Sequence, residues 1–154
     1  DDYTIELPAA ENSAKDILQK RSEFAPILNP EWQGENKKRT FKQNQTIKSA
    51  LQAYARKEGV ELIWDLKYDY IIKSHFTEKG NLRELVTKVT TTVGNDYGGA
   101  LKSYFCPQQS ALFISDKEEP YFEQACRSTK SDAQLRREEL QKESYQMRKK
   151  LGVN

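Results

Sequence analysis

Two stretches of this chain place apolar residues at helical spacing, and each is followed by a glycine and then by strand-forming sequence. In the first, Thr46 precedes Ile47, Ala50, Leu51, Tyr54 and Ala55, and Gly59 follows. In the second, Asn81 and Glu84 stand at capping-box spacing, and Leu82, Leu85, Val86, Val89 and Val93 run on to Gly94. Each helix therefore has one narrow apolar stripe to bury. Gly59, which tolerates the left-handed conformation, stops the first, and Gly94 stops the second. A chain with two one-sided helices and interleaved strands is constrained to an α+β fold, with both stripes laid on sheet.

The strands follow from β-formers between turn signals. Val60–Trp64 reads as one strand, and Asp65-Leu66-Lys67 as a turn. Tyr68 to Phe76 reads as a second strand, with Tyr70, Ile72 and Phe76 on one parity and Gly80 breaking the pattern. Leu101–Cys106 and Ala111–Ser115 are joined through Pro107–Ser110 as a hairpin. Arg39–Lys42 supplies a first strand. The run Thr90-Thr91-Thr92 is β-prone and predicts that the second helix frays early. The fold class is a small βαβ-type α+β domain, two helices on short mixed sheets, with extensions at both ends. Its expected limits are 38–117.

The extensions account for a composition too polar for one core, at 36% hydrophobic and 31% charged over 154 residues. Residues 1–37 read as an arm holding Pro8, Pro26 and Pro30. It carries one short helix, capped by Ser13, with Ala14, Ile17, Leu18 and Arg21 on one face. Residues 118–154 read as a charged helical tail starting at Ser131. From Lys130 to Lys150 seven basic residues stand against four acidic ones, a local charge of +3. Its apolar residues Leu135, Leu140, Met147 and Leu151 are sparse and keep no strict heptad.

Cys106 and Cys126 are the two cysteines. Their spacing is neither a redox nor a zinc pattern, and pairing them would close a loop worth about 3 kcal/mol. We read them as a disulfide, which favours an oxidising compartment such as the bacterial periplasm, against the alternative of two cytosolic thiols.

Catalytic chemistry finds little support. No P-loop, GxSxG or HExxH motif occurs, and the single histidine, His75, falls on the strand parity that points to the surface. Glu118-Glu119 and Glu138-Glu139 are adjacent in sequence, so on a helix they diverge rather than form a dyad. No metal site and no cofactor are expected. Asn44-Gln45-Thr46 matches a glycosylation triplet, but Thr46 already serves as a cap. The net charge of +2 is too small to argue for nucleic acid, although Lys37-Lys38-Arg39 and Arg148-Lys149-Lys150 are basic clusters. A nucleic-acid-binding or peptidoglycan-associated small domain stands as an alternative. The polar extensions and short-stranded sheet suit a subunit of an assembly better than an enzyme.

The segment Phe41 to Asp116 resembles the C-terminal domain of the toxin-coregulated pilus biosynthesis protein Q (TcpQ) family. The similar features are Lys57-Glu58-Gly59 ending the first helix, then Val60-Glu61-Leu62-Ile63-Trp64-Asp65, then Tyr68-Asp69-Tyr70. Gly80-Asn81-Leu82 opens the second helix, and Leu112-Phe113-Ile114-Ser115 closes the pattern. The order of helix and Gly-Val-x-Leu-x-Trp is also similar to the secretin and TonB short N-terminal domain. The resemblance implies a periplasmic, outer-membrane-associated accessory protein that binds and stabilises an outer-membrane secretin or secretion-channel subunit within a multimeric assembly. The alternative within it is a component of a type IVB secretion outer-membrane core complex. Family members are often lipoproteins; an anchor cysteine is not legible in these residues, so membrane contact is expected only through partners or such an anchor. On this reading the partner-binding residues are Leu112, Phe113 and Ile114, as an open strand edge, and Leu140, Arg148 and Leu151 on the tail.

Overall fold

The computed structural model describes residues 2–153. The core is a four-stranded sheet of β3 (Glu61–Asp65), β7 (Ala111–Ser115), β6 (Lys102–Cys106) and β8 (Arg127–Ser128), in that spatial order. β3 runs parallel to β7, and the other neighbours are antiparallel. Two ribbons flank it: β1 (Thr4–Glu6) with β4 (Tyr68–Tyr70), and β2 (Lys37–Phe41) with β5 (Phe76–Gly80). Five helices complete the fold: α1 (Ala14–Arg21), α2 (Ile47–Lys57), α3 (Leu82–Val93), α4 (Pro120–Ala125) and α5 (Asp132–Leu151). The α+β class read from the sequence is the class observed.

Strand alternation sorts the core into two layers. Leu62, Trp64, Phe105, Leu112 and Ile114 face α2 and α3, whose stripes are those expected. Ile63, Tyr104, Phe113 and Ala111 face the opposite way, against Ala14 and Leu18 of α1 and Phe122 of α4. Thr46 caps α2 by accepting from the Ser49 amide, and Asn81 and Glu84 cap α3 reciprocally. Gly59 takes the left-handed conformation, φ +82°, that stops α2.

Four expectations change. The Tyr68–Phe76 strand splits, because Ile71–His75 crosses from one ribbon to the other and β4 and β5 find different partners. α3 does not fray at its threonines. Thr90, Thr91 and Thr92 each donate a hydroxyl to the carbonyl four residues back, and the helix runs to Val93. The arm is woven into the core: Leu18 is fully buried, Arg21 donates to the carbonyls of Gln109 and Ser110, and β1 pairs with β4. The tail divides in two, with α4 and β8 on the sheet and α5 carrying no buried residue.

The ribbon β2–β5 is fixed to the core by a buried ion pair. Arg39 Nη2 meets Glu58 Oε2 at 2.7 Å, with side-chain exposures of 1% and 8%. The guanidinium also donates to the carbonyls of Gly80 at 2.7 Å and Glu35 at 2.8 Å, and Glu58 Oε1 accepts from the Glu35 amide. Gly34 lets the chain pass this carboxylate. Its φ is +82°, and a Cβ there would stand 3.0 Å from Glu58 Oε1 and 3.1 Å from Leu82 Cβ. Glu58→Ala leaves the guanidinium buried without its countercharge, and urea unfolding should record a loss of about 3–5 kcal/mol.

Cys106, at the end of β6, is joined to Cys126, which follows α4, by a disulfide across a separation of 20 residues. The link ties the base of the tail to the middle of the sheet. Replacing both cysteines with serine should cost about 3 kcal/mol in chemical denaturation. Hydrogen exchange should accelerate first in β8.

Candidate partner-binding surface

The structure separates the residues nominated from the sequence. Leu112, Phe113 and Ile114 are fully buried, and their strand lies between β3 and β6. They form no edge, so the expected strand edge is corrected here. The physical reason is the parallel return. The strand that comes last in the matched pattern is entered from one side by its hairpin partner β6 and from the other by β3. A strand buried on both faces reads as a continuous apolar run, which Ala111-Leu112-Phe113-Ile114 is.

Leu140, Arg148 and Leu151 lie on the open helix α5. Leu140 is 64% exposed and Leu151 68%. At 100° per residue Leu140, Met147 and Leu151 fall within about 40° of one another, a stripe that nothing among the described residues covers. Leu135 and Tyr145 lie off it. Ser131 accepts from the Gln134 amide at one end of α5. At the other, Gly152 in the left-handed conformation donates to the carbonyls of Arg148 and Lys149. Arg148, Lys149 and Lys150 sit at the negative end of the helix dipole.

An apolar groove of about 990 Å³ opens between the two ribbons and α3, lined by Tyr70, Ile72, Phe76, Val89 and Val93 among others. Phe76 stacks on the buried Phe41, ring centroids 4.8 Å apart, and leaves its outer face in the groove. Tyr70 donates to Asp96 at 2.7 Å. Burial, reinforced by this bond, pushes its phenol well above the ordinary tyrosine range. The Tyr70 phenol is therefore uncharged at any physiological pH, while Lys73, Glu78, Lys88 and Asp96 bring charge to the groove lining.

A second, polar cleft of about 960 Å³ lies between α3, β8 and the start of α5. Several of its charges are engaged locally. Arg127 pairs with Glu31 at 3.4 Å and Lys130 with Glu138 at 2.8 Å. Arg83 donates to the Ser128 carbonyl and covers Phe105, and burial, followed by Arg127, lowers its pKa. Behind them Thr87, Thr129 and Ser103 form a buried hydroxyl chain. These contacts hold β8 against α3. Among the described residues no cluster of histidine, cysteine and carboxylates has the arrangement to hold a metal, and His75 is exposed in the crossover.

Residues 39–117 match the family Toxin co-regulated pilus biosynthesis protein Q. The chain belongs to the TcpQ family. The match begins at Arg39 of the buried ion pair and ends just after β7, so it takes in both stripes and three strands of the central sheet. No curated protein and no solved structure matches the chain. The TcpQ assignment makes this a pilus biosynthesis protein. No helix among the described residues is long and apolar enough to cross a membrane.

The sequence reading passed over the groove and the ribbon beside it. Lys37–Phe41 and Phe76–Gly80 hold one large apolar residue each, Phe41 and Phe76, and the pairing of two short charged strands emerges only in three dimensions. Core and surface roles separate by substitution. Phe113→Ala should destabilise by about 3–5 kcal/mol, whereas Leu140→Glu should leave unfolding within about 0.5 kcal/mol of the parent, both read by thermal denaturation.

Proposed function

We propose that this TcpQ-family chain is a non-enzymatic periplasmic scaffold that binds and stabilises an outer-membrane secretin of a pilus-assembly machine. The observation that carries the reading is α5, a capped helix of 20 residues with none buried and one uncovered apolar stripe. Most helical stability in proteins comes from packing an amphipathic face, and the sparse stripe of α5 packs on nothing in the monomer. It is suited to a groove on another protein, in the manner of a helix laid down through anchors on one face. Leu140, Met147 and Leu151 are the anchors, and Arg148 adds a charge at their border. The disulfide supports an oxidising compartment. The family supports the pilus machine.

Co-purification of the tagged chain from native membranes tests this. The wild-type chain should bring down the channel subunit, and removal of residues 131–154, or Leu140→Glu with Leu151→Glu, should abolish its recovery while the domain stays folded. Recovery of the channel with both variants overturns the tail mechanism. Absence of any pilus-channel component with the wild type overturns the function.

A further inference from the structure

We propose that the outer edge of β5 receives an extended segment of a partner polypeptide, one that alternates acidic and apolar residues. The proposal rests on the scaffold reading above and names a second contact for it, apart from α5.

The backbone geometry is fixed by where the ribbon's ladder ends. Pairing of β2 with β5 runs from Lys37 opposite Gly80 to Phe41 opposite Phe76. Just beyond, the Lys42 amide donates to Gln45 Oε1 and the Asn81 amide to Glu84 Oε1, so neither extends the ladder. The hydrogen-bonded pairs are therefore Lys37–Gly80, Arg39–Glu78 and Phe41–Phe76. The intervening pairs, Thr40–Thr77 and Lys38–Lys79, turn their N–H and C=O groups outward. On the β2 side Tyr54 Oη takes the outward carbonyl of Thr40 at 2.5 Å. On the β5 side Thr77 and Lys79 present both groups to solvent, the template for strand addition.

Charge specifies the occupant. Lys38 and Lys79 are exposed, directly opposite, and in the wide pair, where Cα atoms approach to about 4.5 Å. Like charges so placed repel. Among the described residues neither has an acidic partner, whereas Lys37 pairs with Glu35 and Lys88 with Glu78. An added strand bearing carboxylates on this outer face would neutralise the repulsion. Its alternate residues would point to the other face, where Phe76 opens onto the apolar groove. The edge thus supplies backbone pairing, a cationic outer face and, at Phe76, an apolar inner patch beside the Glu78–Lys88 pair, in one register. Glu78 also guards the edge against self-pairing. In the symmetric antiparallel register that bonds Thr77 to Lys79 of a second copy, Glu78 would face its own equivalent.

The test uses the full chain, isotope-labelled, with a short synthetic peptide alternating valine and glutamate, and its valine–lysine counterpart. The glutamate peptide should slow hydrogen exchange at the amides of Thr77 and Lys79 by about tenfold or more, and the lysine peptide should leave them unchanged. Thr77→Pro removes an amide that β2 does not use, so the fold should persist while peptide affinity drops about tenfold or more. Lys38→Glu with Lys79→Glu keeps the backbone intact and should transfer binding to the lysine peptide. Equal binding of both peptides, protection confined to other amides, or no protection with either peptide overturns the proposal. If the channel subunit is recovered undiminished with these edge variants, the edge contact fails while the scaffold reading stands. If no channel component is recovered with the wild type, the scaffold reading itself fails.

Discussion

The Arg39–Glu58 pair is the fastening on which the arrangement of this domain depends. A single guanidinium on β2 reaches the end of α2, the last carbonyl of β5 and the turn that leads into β2. Three chain segments far apart in sequence are brought to one buried point. Ion pairs of this kind contribute little net stability compared with apolar packing, because both charges lose their water. Their effect is geometric. An arginine with its carboxylate and two carbonyls in place admits one position of the ribbon, and a ribbon held in that position leaves its outer strand unpaired beside the groove. The matched family segment begins at this arginine.

The rest of the molecule can be read as two layers sharing one strand. β7 gives Leu112 and Ile114 to the layer of α2 and α3, and Ala111 and Phe113 to the layer of α1 and α4. The second layer is built by residues outside the family match, from the N-terminal segment and from the start of the tail. A small α+β unit with one covered face would leave Ile63, Tyr104 and Phe113 in water. The extensions cover that face, so they complete the domain rather than decorate it. Only α5 is left over, and it begins where the chain has run out of sheet to cover.

The helices were legible because caps, stripes and stops are local. Thr46, Asn81 with Glu84, and Gly59 act within a few residues of themselves, and the structure places them where spacing predicts. The cysteines were legible for a different reason: two in a chain without metal or redox spacing leave few roles. The order of strands was not legible. Nothing local in Leu112-Phe113-Ile114 tells whether β3 returns beside it, and that return alone turns an apparent edge into the centre. The site beside β5 failed to show for the same cause. The meaning of Lys79 depends on Lys38, some forty residues earlier, and on a register set by the ends of a ladder. The arm's short helix was legible from Ser13 and its stripe, but its packing into the core was not, because prolines mark irregular backbone, and irregular backbone can still pack.

The position of the disulfide has a mechanical consequence. A partner that holds α5 and pulls on it loads the chain at β8, whose pairing with β6 spans two residues and yields readily. The load then arrives at Cys126, where a covalent bond passes it sideways to Cys106 on an inner strand of the sheet. Unravelling stops there, and α4 and the layer it covers are kept out of the path of the force. The tail can thus lengthen by a few residues under tension and then hold.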